Sequence, residues 1–75
     1  MAKTERAVFH VVLGERGRWN VKQEDTNRIL GNHTARTQAI LQGRDLALAQ
    51  AYSLLVVFDR EGKIEKQYNY GLKPS

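Results

Sequence analysis

The sequence predicts an α+β domain: one helix packed on an antiparallel sheet of four or five strands, in the order β-β-(β)-α-β-β. Three observations carry this. A stretch free of helix breakers other than Gly43 spans residues 34–51. Before it lie two β-type runs, 8–13 and 18–23, separated by Gly14-Glu15-Arg16-Gly17. After it lie two more, 54–58 and 64–70, separated by Asp59-Arg60-Glu61-Gly62. Each pair reads as a hairpin, because a glycine-bearing turn joins two segments of β-branched and aromatic residues.

The first run is apolar in both alternating sets, Phe9/Val11/Leu13 and Val8/His10/Val12, as expected of a strand covered on both faces. Residues 18–23 alternate, with Trp19 and Val21 to one side and Arg18, Asn20 and Lys22 to the other, the pattern of a half-buried strand. Glu24-Asp25-Thr26-Asn27 is a turn. Arg28-Ile29-Leu30 is a candidate short third strand, broken by Gly31-Asn32-His33.

Thr34 is the expected N-cap, since its hydroxyl can accept from an orphan backbone N–H. Ile40, Gly43, Ala47 and Ala51 fall close together on a helical wheel as a narrow stripe of mostly small residues. A glycine inside a helix costs roughly 1 kcal/mol, so Gly43 points to close approach of helix and sheet. Leu41 and Leu48 flank the stripe. In the second hairpin Gly62 is the expected left-handed turn residue. In the last strand Ile64, Lys66, Tyr68 and Tyr70 share a face. The domain is expected over residues 8–71, with a disordered segment at 1–7 and a tail at 72–75.

Seventy-five residues make one domain. A chain this short buries about 60% of its unfolded surface, so its core must be well packed or supplemented by a second copy. There is no cysteine, and His10 and His33 are the only histidines, which excludes disulfides and argues against a structural zinc site. No metal or cofactor is expected. No segment approaches the about 20 apolar residues of a membrane span. Residues 1–6 lack the apolar core of a secretory signal. The expectation is a cytoplasmic protein. The net charge of +4 is spread along the chain with no Lys/Arg run, weaker than the basic stripe of a dedicated nucleic-acid binder.

The order and spacing of several elements carry a family resemblance. They are His10-Val11-Val12, Trp19-Asn20-Val21-Lys22, Ala39-Ile40, Gly43-Arg44-Asp45-Leu46-Ala47, Leu54, Val56, Asp59, Gly62-Lys63-Ile64, Tyr70-Gly71 and Pro74. Over residues 8–74 the chain resembles the small prokaryotic family catalogued as domain of unknown function 2188. Two departures stand out: Leu13-Gly14 where the family tends to place a proline, and Leu72-Lys73 where it tends to place an acidic residue before the last proline. The resemblance implies the element order and a bacterial or phage origin, and it transfers no activity.

No catalytic cluster is visible. His10 lacks a neighbouring carboxylate and nucleophile in sequence, and is expected to be a structural histidine within the sheet. His33, beside Thr34, is expected to be a helix-entry or surface residue. Gly14 to Gly17 lacks the lysine and Ser/Thr of a phosphate loop and precedes a strand. Trp19, Tyr68 and Tyr70 would suit base stacking beside Arg18, Lys22, Lys66 and Lys73, but core packing suits Trp19 better and shielding of the sheet suits the tyrosines. Arg44, near the small-residue stripe, is expected to lay its stem on the core and present its guanidinium to solvent or to a carboxylate such as Asp45, Asp59 or Glu61, with an anion as the lesser reading.

A single helix covers one face of a sheet, so the other is expected to expose Val8, Val12, Leu55 and Val57, and such patches mark interfaces. The sequence therefore predicts a non-enzymatic binding module that forms a homodimer or takes a protein partner, with no small-molecule substrate. The alternative is a weakly basic nucleic-acid-binding module using the sheet. The candidate interaction residues are Val8, His10, Val12, Arg18, Lys22, Arg44, Lys66, Tyr68 and Tyr70.

Overall fold

The computed structural model describes residues 6–26, 28–50 and 52–70. Five strands form one sheet: β1 (Ala7–Leu13), β2 (Trp19–Gln23), β3 (Arg28–His33), β4 (Ser53–Phe58) and β5 (Ile64–Tyr70), with α1 (Arg36–Leu48) between β3 and β4. Their spatial order is β3-β2-β1-β4-β5. The two expected hairpins are present, with His10 opposite Lys22 in the first and Leu55 opposite Tyr68 in the second.

The sheet is mixed rather than purely antiparallel. β1 and β4 lie side by side and parallel, with Val8 aligned on Leu54 and Val11 on Val57. Two antiparallel turns carry the chain from β1 to the edge at β3, and α1 then brings it back across the sheet. A helical crossover of this kind is how parallel neighbours are joined. The most apolar strands thereby become the inner ones, where ladder hydrogen bonds on both sides leave no edge.

The third strand forms in full and includes Gly31, Asn32 and His33, which the sequence suggested would end it. It survives because a bulge shifts its register: Val21 faces Gly31 but Lys22 faces Ile29, leaving Leu30 without a direct partner. Gln42 of α1 takes up the slack. Its Nε2 donates to the Leu30 carbonyl at 3.2 Å, and its Oε1 lies 2.6 Å from His33 Nε2. A Cβ on Gly31 would stand 1.8 Å from Gln42 Oε1, so glycine leaves room there for the Gln42 amide.

The helix is shorter than the breaker-free stretch. Ala35, not Thr34, occupies the N-cap, and no side chain caps it. Ala51 lies outside the described residues. The packing face is Ala39, Gly43 and Ala47, all buried, with Ile40 only partly so. Leu41 and Leu48 point away and are 54% and 52% exposed. The core beneath α1 comprises Phe9, Val11, Trp19, Val21, Leu55 and Val57. At the end of α1 the buried Ser53 hydroxyl donates to the Ala47 carbonyl at 2.6 Å, satisfying an acceptor that the helix leaves open.

Leu55 and Val57 are fully buried under the helix, and Leu54 and Val56 are the β4 residues on the opposite face. The sequence reading had these two sets reversed. The five apolar residues 54–58 carry no polar alternation to set the phase, which is decided by pairing with β1. A second register shift pairs Phe58 with Ile64 and moves Ile64 out of line with Lys66, Tyr68 and Tyr70.

Gly43→Ala tests the close approach. The added Cβ would lie 2.7 Å from Leu55 Cδ1 and 3.4 Å from Val11 Cγ2, and Leu55 is fully buried. Alanine gains about 1 kcal/mol of helix propensity, while overpacking a tight core costs about 1–3 kcal/mol. The expected result is net destabilisation in urea unfolding monitored by circular dichroism; a stabilised variant would show that helix and sheet are not in tight contact.

Candidate functional site

The sheet face away from α1 is built by alternation. Residues paired across strands share a side, so Val8 and Leu54, His10 and Val56, and Lys22 and His10 stand together. Val8, Val12, Leu54, Val56 and Phe58 form an apolar strip along β1 and β4. Leu54 is 7% exposed and Val56 5% although α1 packs on the other face, because each lies between a β1 side chain and Gln67 or Asn69 of β5. Val8, Val12 and Phe58 are half-buried.

His10 lies in this strip as a structural neighbour of two groups. Its Nε2 is 3.2 Å from Glu24 Oε2, and its ring meets Phe58 edge-on with centroids 5.2 Å apart. The Glu24 N–H donates to the Val8 carbonyl at 2.9 Å, which holds the carboxylate beside the imidazole. Among the described residues no group of three or more His, Asp or Glu is arranged to hold a metal ion.

Among the described residues the surface concavities include two that gather charged side chains. The first, of about 340 Å³, is lined by Trp19, Arg36, Asp59, Arg60, Glu61 and Glu65. Arg36 organises it. The guanidinium lies 5.4 Å from the centre of the Trp19 ring, and Nη2 is 2.8 Å from Glu65 Oε1 and 3.4 Å from the Phe58 carbonyl oxygen. Asp59 closes the β4–β5 turn. Its Oδ1 accepts from the backbone N–H of Glu61 at 2.8 Å and of Lys63 at 2.9 Å, and Gly62 at φ +82° supplies the left-handed residue expected there. The Lys63 N–H, above all, holds the Asp59 carboxyl below the ordinary aspartate range. Desolvation opposes it, and the Glu61 N–H and the charges of Lys63 and Arg36 assist. This concavity is stitched together by its own ion pair and turn bonds.

The second concavity, of about 670 Å³, is lined by Gly14, Glu15, Arg16, Arg18, Asn20, Lys22, Ile29 and Asn32. It flanks the apolar strip at the β2–β3 side. The Arg18 Nε donates to Asn32 Oδ1, and Asn32 Nδ2 donates to Asn20 Oδ1 at 2.6 Å. The turn leading into it contains Arg16 at φ 59°, ψ 28° and Gly17 at φ 70°.

The sequence-predicted site residues thus divide. Val8, His10, Val12, Arg18 and Lys22 come together on the uncovered face or its flank. Lys66, Tyr68 and Tyr70 stand on the helix side of β5, with the two tyrosine rings 6.4 Å apart and packed against the core margin. Trp19 is 2% exposed under α1, as its core reading anticipates, so the three aromatics form no common platform. Arg44 is exposed, and the arginine that leans on the core and meets a carboxylate is Arg36 instead. His33 is the half-buried last residue of β3, just ahead of α1, and is held to Gln42. Arg36 and Asn32 escaped the sequence reading because their partners lie 29 and 14 residues away.

Comparison with known families adds one finding. The family described as an uncharacterized protein conserved in bacteria (DUF2188) matches residues 9–70, most of the chain. The chain belongs to DUF2188. Neither curated proteins nor solved structures provide a match. Of the residues that carried the resemblance, Gly43 makes the helix–sheet contact, and Asp59 and Gly62 build the turn between β4 and β5. No described helix of this DUF2188 protein is long and apolar enough to cross a membrane.

Asp59 gives a pH-dependent prediction. Its folded pKa is depressed, so its contribution is complete above the unfolded value and is lost as pH falls through the folded one. Asp59→Asn is therefore expected to be less stable than the parent at neutral pH, with the difference shrinking as both are titrated into the acid range. A difference independent of pH, followed by thermal unfolding, would show that the carboxylate charge is irrelevant to the turn.

Proposed function

We propose that this DUF2188 protein is a non-catalytic interaction module whose uncovered sheet face takes a second copy of the chain. The observation that carries the reading is the apolar strip in which the partly exposed Val8, Val12 and Phe58 surround the buried Leu54 and Val56, bordered by Asn20, Asn32 and Lys22 on one flank and Gln67 and Asn69 on the other. An apolar centre within a polar rim is the anatomy of a protein interface. A second copy satisfies it with one self-complementary surface, the arrangement of most small homo-oligomers.

Size bears on strength. Counted over all five strands, spaced about 4.8 Å apart and each about 20 Å long, the whole face offers at most roughly 500 Å² per copy, or about 1,000 Å² for the pair. That sits at the lower bound of about 1,000 Å² for a specific interface. The expected dimer is therefore weak, with a dissociation constant in the micromolar range. The Glu24–His10 pair and the backbone-bonded Asp59 leave those groups engaged in structure, which supports the non-catalytic part of the reading. The absence of cysteine supports a reducing, cytoplasmic setting.

Sedimentation velocity across the micromolar range tests the dimer. The parent protein is expected to shift from monomer to dimer as concentration rises. Val12→Lys, at a half-buried position, should stay monomeric while keeping its circular dichroism spectrum. A parent that remains monomeric at high micromolar concentration, or a variant that dimerises like the parent, sinks the proposal.

A further inference from the structure

We infer that the trough lined by Arg16, Arg18 and Lys22 binds the phosphodiester backbone of single-stranded nucleic acid. Charge accounting separates it from the other concavity. Arg36 is neutralised by Glu65, and Asp59, Glu61 and Glu65 together outnumber Arg36 and Arg60 in that cleft. In the trough three cations face a single carboxylate, Glu15, and none of the three forms an ion pair among the described residues.

Arg18 is nonetheless held in place. Its guanidinium is oriented by the neutral Asn32, itself fixed by Asn20. A cation positioned by amides keeps its full charge for an incoming anion, and fixing it beforehand removes part of the ordering cost of binding. Strain supplies an independent sign. Arg16 adopts a left-handed conformation, and no glycine stands there although its neighbour Gly17 also has positive φ. A side chain at such a position costs about 1–2 kcal/mol, and strain of this kind concentrates at functional sites.

The shape favours a strand over a lone ion. At about 670 Å³ the trough falls within the range of roughly 300–1,000 Å³ that holds organic ligands. Arg18, the extended residue just before β2, and Lys22 within it are four residues apart, which separates their Cα atoms by about 13 Å. That spacing is too wide for one phosphate group and suits two phosphates of the same strand that are not adjacent. Ile29, 55% exposed, gives the trough an apolar wall against which a base can rest.

The experiment is fluorescence anisotropy with a labelled oligothymidylate and with a duplex of equal length, each at low and at physiological ionic strength. Sedimentation is run in parallel, so that loss of the dimer and loss of binding are read separately. The single strand is expected to bind in the micromolar range and in preference to the duplex. Its log–log salt slope should be near −2, about −0.7 for each of three cations engaged. Lys22→Gln should lower that slope by about 0.7. Arg16→Gly should weaken binding while raising the thermal midpoint, a combination that a purely structural arginine would not give. Lys63→Gln, in the β4–β5 turn, should bind like the parent. The inference is overturned if no oligonucleotide binds at low salt, if Lys22→Gln and Arg16→Gly bind unchanged, or if the duplex binds equally well. It is also overturned if thymidine monophosphate at equal phosphate concentration displaces the strand, which would mark a small-ligand site, or if polyglutamate binds as tightly, which would mark an unselective basic patch.

Discussion

The structure depends on how closely one helix can lie on the sheet. Ala39, Gly43 and Ala47 present almost no side chain, so the α1 backbone descends onto Val11 and Leu55. Close approach compensates for a small core: dispersion and burial are gained by proximity rather than by large interdigitating side chains. It also brings Gln42 within reach of the β3 bulge and the end of the helix within reach of Ser53. A bulkier residue at Gly43 would lift the helix and loosen both polar ties together with the apolar contact. The ends of the sheet are thus coupled to its centre through one narrow stripe.

That stripe explains what could be read from the sequence and what could not. Gly43 and Ala47 were legible as a packing face because a glycine in a helix needs a reason. The phase of β4 was not legible, because Leu54, Leu55, Val56, Val57 and Phe58 look alike from either side, and only pairing with β1 decides which of them α1 covers. The parallel β1–β4 neighbours were missed for a related reason: hairpins are announced by local turn residues, whereas a crossover pairing has no local signature. The end of β3 was misjudged because glycine reads as a breaker in isolation, yet Gly31 is there to admit Gln42. On the surface, Val8, Val12, Arg18 and Lys22 were found through strand alternation. Arg36, Asn20 and Asn32 act through partners brought together only by the sheet, and the left-handed backbone of Arg16 has no compositional mark at all.

The arginines illustrate how context assigns a charge its role. Arg36 combines a Trp19 ring, a Glu65 carboxylate and a backbone carbonyl, so its charge is consumed in joining the start of α1 to β4 and β5. Arg18 is held by an amide and keeps its charge. Both are half-buried, and what decides whether the charge stays available is that Arg36 meets a carboxylate and Arg18 a neutral amide. A net charge of +4 spread evenly along the chain therefore conceals a local excess, because pairing removes cations selectively from one cleft and leaves those of the other.

The uncovered face thus carries two kinds of surface side by side: an apolar strip along β1 and β4, and a cationic trough at the β2–β3 flank. Their adjacency has a geometric consequence. In an isologous dimer built on the strip, the two-fold axis passes through the apolar centre, and the trough of each copy lies at the rim rather than beneath it. The rim is where solvent retains access, yet Asn20, Asn32 and Lys22 both border the strip and line the trough, so the two proposed uses of this face share those side chains. Two troughs carried by one particle would also raise the effective concentration of the second when a strand long enough to reach both is held by the first.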